Sequence, residues 1–201
     1  MAESEPKPDS HEVLYRLYRL LLLKYADVIN EKEKRTIGEV KALINPGDLT
    51  IQSLVAGFKK EGFVFEADYL QACQKAFGFV KDEILFAKSD IRLSYWLAPK
   101  EILENKVADD EDQAVFLCSL MAAFGDSNAQ VVIAEMDDLN THAFVITEFQ
   151  NLFFLLDPSR RHDFFDFSGN RSDALAKYDY NGARLKRFLY KFNRSEYEQF
   201  L

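Results

Sequence analysis

The chain is poor in cysteine, with two in 201 residues, Cys73 and Cys118. Two thiols cannot build a disulfide framework, and each lies in a helical apolar pattern, so both are expected as buried free thiols in a reducing compartment. A cytoplasmic setting is therefore expected. It would leave the two N-x-S matches, Asn170-Arg171-Ser172 and Asn193-Arg194-Ser195, without meaning as glycosylation sites. Long apolar runs are also missing. Leu20 to Leu23 is bounded by Arg19 and Lys24, far short of the ~20 residues that cross a bilayer. Residues 1–9 lack the charged, apolar and small-residue order of a secretory leader; polar and proline-bearing, they are expected to form a disordered tail. Positive charge is in deficit: 25 Lys and Arg against 33 Asp and Glu leave a net charge of -8. That balance argues against a nucleic-acid partner held through phosphates and against an anionic membrane surface.

Apolar residues make up 48% of the chain and include 18 Phe, enough for one large core with an appended helical segment. Val13, Leu14, Leu17, Leu20, Leu21 and Tyr25 follow i, i+3, i+4 spacing and predict a helix over 11–30 with Ser10 as a cap. Shorter helices are expected over 36–44, stopped by Asn45-Pro46-Gly47, and over 48–60, ended by Gly62. A longer helix over 66–86 places Leu70, Cys73, Phe77, Val80 and Ile84 on one face. Pro99 suits the first turn of a helix reaching Asn105, and Asp109 or Asp110 caps another that ends near Phe124. Strands are expected over 129–136, 143–149, 152–156 and 184–193, while 160–183 is ambiguous apart from a turn at Ser168-Gly169-Asn170. Helices first and an antiparallel sheet after give an α+β fold. The organisation expected is a tail over 1–9, a helical segment over 10–65 and a folded domain over 66–201.

Three pieces carry chemistry: Ala108-Asp109-Asp110-Glu111-Asp112-Gln113-Ala114 at a helix start, Thr141-His142-Ala143-Phe144-Val145 in a strand, and Leu156-Asp157-Pro158-Ser159 at a strand end. Their order resembles the motifs G-x-C-x-D-x-A, H-A-x-V and L-D-P of the transglutaminase-like (papain-like) superfamily of cysteine proteinases. Trp96, with Pro99, Glu101 and Leu103, resembles that family's W-x-x-P-x-E-x-L lead-in. The resemblance covers about residues 66–193 and is tightest over 95–159. It implies a nucleophile-bearing helix packed on a sheet that presents a histidine and an aspartate. It carries His142 and Asp157 over directly, and it places Asp110 where the family keeps its cysteine. Trp96 is a candidate to line the cleft.

A thiol hydrolase needs a thiolate at a helix N-terminus, lowered in pKa by the helix dipole and a neighbouring imidazolium. Asp110 supplies the charge but not the nucleophile, because carboxylate attack on an amide gives a high-energy anhydride. Cys118 lies two turns further, ~12 Å along the helix axis. A catalytically inactive domain that binds or scaffolds a protein or peptide segment is therefore expected. The alternatives are an enzyme of altered chemistry, with Asp110 and His142 as an acid–base or cation-binding pair, and a cysteine peptidase or transglutaminase-type acyl transferase whose nucleophile lies elsewhere. Asp109 to Asp112 could be read as a cation site with His142, but successive helical residues point about 100° apart and do not converge. No metal and no cofactor are expected, and the oligomeric state is left open.

Overall fold

The computed structural model describes residues 10–88, 91–160 and 162–200; the tail over 1–9 lies outside them. Contacts divide the chain into two compact units, one of residues up to 34 with 89–95, the other of 35–88 and 96–201. The first holds helix α1, Ser10–Lys32.

The second unit opens with helices whose ends are set by local chemistry. In α2 (Ile37–Ala42), Thr36 and Glu39 form a capping box: the Thr36 amide donates to Glu39 at 2.7 Å and the Glu39 amide to the Thr36 hydroxyl at 3.3 Å. Asp48 caps α3 (Leu49–Phe58) by accepting the amides of Thr50 and Ile51. Helix α4 (Phe65–Glu83) follows. The backbone leaves the helix at Ile84 and enters strand β1 (Leu85–Phe86), so this helix stops three residues earlier than its apolar spacing suggested. Helix α5 (Pro99–Asn105) starts on its proline, and strand β2 (Val107–Ala108) pairs in parallel with β1.

Helix α6 (Asp110–Phe124) is the centre of the unit. Asp109 caps it by accepting the Asp112 amide at 2.9 Å. Gly125 closes it at φ 112, where a side-chain Cβ would meet the Phe65 ring at 3.4 Å. Its apolar residues are buried on every side, as a helix with packed neighbours all round requires; those neighbours are α3, α4 and two strands, β3 (Gln130–Met136) and β4 (Thr141–Phe149).

The remaining strands are β5 (Leu152–Leu156), β6 (Ser168–Gly169), β7 (Asp179–Tyr180), β8 (Ala183–Phe192) and β9 (Tyr197–Gln199), with helix α7 (Arg171–Lys177) between β6 and β7. The antiparallel sheet runs β6-β5-β4-β3-β8-β7, and β9 adds to β8. Both faces of its centre are buried. Val131, Ile133, Val145 and Phe154 pack toward α6, whereas Val132, Phe144, Phe153 and Leu155 pack with Phe167, Ala174 and Tyr178. That two-sided burial explains why these strands read as continuous apolar runs. The expected α+β architecture, a helix packed on an antiparallel sheet, is the one found. Among the described residues no helix is long and apolar enough to cross a membrane.

Candidate functional site

Each of the three motif residues sits at the end of an element that fixes it. Asp110 is the first residue of α6, His142 the second of β4, and Asp157 the residue just past β5. Antiparallel pairing of β4 with β5 brings the two strand positions together, and packing of α6 on β4 adds the third. His142 Nδ1 lies 2.8 Å from Asp110 Oδ2, and Nε2 lies 2.9 Å from Asp157 Oδ2. The Asp157 contact is a directed hydrogen bond, whereas the Asp110 contact meets the ring nitrogen obliquely and is an ion pair without hydrogen-bond geometry. All three residues are buried.

The charges are compensated locally. Asp110 Oδ2 accepts the Ala143 amide at 2.9 Å. Asp157 Oδ2 accepts the Tyr178 hydroxyl at 2.7 Å, and its Oδ1 accepts the hydroxyl and amide of Ser159 at 2.6 and 3.1 Å. Burial pulls the imidazole pKa down, but the two carboxylates outweigh it and raise His142 to about 9. Burial likewise works to raise both acids, and the imidazolium overrides it, so Asp110 and Asp157 are held below the usual carboxylate range. The group is a carboxylate–imidazolium–carboxylate cluster. Both ring nitrogens face acids, so the protonated ring has no lone pair to offer to a cation.

Two tyrosines at this site were not foreseen from sequence. Tyr178 lies between α7 and β7, and Tyr180 stacks on the His142 ring with centroids 3.7 Å apart. Lys88 lies beyond Tyr180, its Nζ 5.8 Å from the phenol ring and 3.2 Å from the Thr141 carbonyl that accepts from it. Ser159 was visible as part of a turn, where a serine two residues after an aspartate commonly closes onto it.

The neighbouring acids do not join the cluster. Asp112 is fully buried; one oxygen accepts the Leu97 amide at 2.9 Å, and the other has no hydrogen-bond partner among the described residues. Burial first, and Asp109 next, push its carboxyl up to about 8. Among the described residues no group of three His, Cys, Asp or Glu side chains is arranged to hold a metal ion. Trp96 is half-buried and packs against the core cluster that contains α6. Cys73 and Cys118 are both free and fully buried, and burial pushes both thiols up.

Beside the strand end that carries Asp157 lies a cavity of about 630 Å³, lined by Lys81, Leu85, Phe86, Pro158, Arg160 and neighbouring residues.

No protein-family model matches the chain, and no curated protein sequence matches it. Solved structures do. The chain is similar to calcium-bound LapG of Legionella pneumophila, with a TM-score of 0.52 and 18% identity over 74% of this chain and 75% of that one. A second LapG structure aligns over 90% of this chain and 86% of that one, with a TM-score of 0.53 and 14% identity. What the two proteins share at these identities is the fold, a helix packed on an antiparallel sheet, as the motif order implied.

Proposed function

We propose that the chain is a catalytically inactive transglutaminase-like domain that acts in the cytoplasm as a module binding a protein or peptide segment. The observation that carries this reading is the ion pair of Asp110 with His142. The resemblance keeps a cysteine at position 110, where a thiolate beside imidazolium at a helix N-terminus is poised to attack. A carboxylate there keeps the electrostatics and loses the nucleophile. The two thiols the chain does have are buried and held protonated, which supports the same conclusion and fits a reducing compartment.

For the binding half, the support is the cavity beside Asp157. Its lining combines apolar side chains, Ile84, Leu85 and Phe86, with charges of both signs, Lys81, Arg160, Asp82 and Asp163, a concave mixed surface of the kind that takes a ligand.

Assays on generic peptide and glutamine-crosslinking substrates test the inactive half, and no turnover is expected. Turnover that survives Asp110→Ala but is lost with Cys118→Ala would establish a thiol enzyme instead. Turnover lost with Asp110→Asn would favour the acid–base pair. For the binding half, peptides selected on the wild-type chain from a random library are expected to lose affinity for Phe86→Asp.

A further inference from the structure

The first unit is dominated by α1, whose surface is unusual for a helix in water. At 100° per residue Glu12, Arg16, Arg19, Asp27 and Asn30 fall on one strip about 80° wide, interrupted by Leu23. Arg16 pairs with Glu12 along the strip. Asn30 ties its far end to the unit's second stretch of chain, donating to the Arg92 carbonyl at 3.1 Å and accepting the Ser94 amide at 2.7 Å. Roughly two-thirds of the circumference is mainly leucine, tyrosine, valine and isoleucine, broken by His11, Lys24, Glu31 and Lys32.

Eleven large side chains between Val13 and Val28 are exposed, from 38% at Leu22 to 65% at Leu20. Together they present on the order of 1,000 Å² spread round most of the helix, more apolar surface than the ~300–600 Å² of the largest patch on a typical monomer. A helix apolar over most of its surface belongs in contact with something. Leu14, Tyr18, Leu21, Tyr25 and Val28 alternate spacings of four and three, a heptad seam with no charge at five successive positions.

We infer that α1 is a self-association helix, its seam packing against the α1 of a second copy of this chain. The seam is its own complement, so a two-fold pairing needs nothing but another seam. A lipid surface fits less well. A helix lying on a bilayer presents a broad, strongly charged face, but this strip is narrow and carries acids at both ends. The net charge of -8 adds repulsion from anionic headgroups.

Sedimentation velocity of the full chain tests this. The expected mass is that of at least two chains at high concentration, falling toward one on dilution. Leu14→Glu combined with Leu21→Glu is expected to halve the mass at the same concentration, while Arg16→Gln on the polar strip keeps it. Should the double variant unfold α1, crosslinking decides. A Leu21→Cys chain treated with a short bismaleimide is expected to join to itself, and an Arg16→Cys chain to stay single, because Cys73 and Cys118 are buried. A one-chain mass at every concentration overturns the inference. So does co-flotation with vesicles of phosphatidylcholine and phosphatidylglycerol, which would assign the face to lipid.

Discussion

The phenol ring of Tyr180 lies on the imidazole of His142, centroids 3.7 Å apart and planes 19° from parallel. Asp110 and Asp157 face the two nitrogens of the same ring. An acid at each nitrogen and a π-face above the ring both favour imidazolium over imidazole. Tyr180 thus joins the two acids in holding the charge, and its ring also covers the cluster.

The His142 charge is directly measurable. Its folded-state pKa is expected near 9, above the ordinary value of 6.5. Because the folded value is the higher, the stability it contributes is fully present below the unfolded pKa and fades as pH rises through the folded one. NMR titration of the ring should show the raised value in the native chain and a lower one in Asp110→Asn. A pKa at or below that of free imidazole would mean that desolvation wins. His142→Ala is expected to cost about 3–5 kcal/mol, since it leaves two buried carboxylates facing each other without their cation.

Placing a thiol at position 110 probes whether the surroundings suit one. Asp110→Cys places sulfur at a helix N-terminus beside an imidazolium, and the first unit of pKa lost below about 8.5 raises the thiolate fraction at neutral pH roughly eightfold, before it saturates. Iodoacetamide is expected to label this position well ahead of Cys73 and Cys118. Adding Tyr180→Ala is expected to speed the labelling further by uncovering the ring. Equal labelling of all three cysteines would show that the electrostatic setting is absent.

How much of this site was legible in the sequence depends on the range of the signal. Asp110, His142 and Asp157 were singled out by the motif order of the family resemblance, and local patterns placed each at an element end: a run of first-turn acids, an alternating strand and an Asp-Pro turn. The central strands and helices were readable within a few residues for the same reason. Tyr178 and Tyr180 were not, because they reach the site through α7 and the two-residue strand β7, elements too short to set up a periodicity. Asn181-Gly182, with φ of 52° and 86°, is the one local signal there, a turn that sends β7 back along β8. The parallel pairing of β1 with β2, two residues each, left no pattern either.

Asp112 predicts a different pH effect from its own neighbourhood. Its carboxyl is raised to about 8 in the fold, by burial and then by Asp109, and it ionises near 3.9 when unfolded. The raised value means that its contribution is lost as pH rises through about 8. Asp112→Asn keeps an oxygen for the Leu97 amide and cannot ionise. Denaturant unfolding should show the variant gaining on the wild type as pH rises from about 4 toward 8 and levelling off above that. The remaining decline toward about 9 belongs to His142 and should persist in the variant.

The acid side of the profile points to a second histidine. His162 is buried, its ring 5.4 Å from Phe77 and 5.1 Å from Phe167, and neither ring nitrogen has a hydrogen-bond partner among the described residues. Burial holds its pKa below the ordinary 6.5. The folded chain therefore keeps this ring neutral, while the unfolded chain takes up a proton once pH falls through about 6.5. Its contribution is present above that value and is lost as pH falls, opposite in direction to that of His142. Asp110 and Asp157, both held low, add their own losses at still lower pH. His162→Phe should flatten the first part of the acid limb and leave the second. It fits the aromatic surroundings and removes two orphaned nitrogens, whose desolvation costs about 1–3 kcal/mol per group. At neutral pH the variant is expected to match or exceed the wild type in urea. A variant that loses stability equally at every pH would show that His162 has a partner its ring geometry does not reveal.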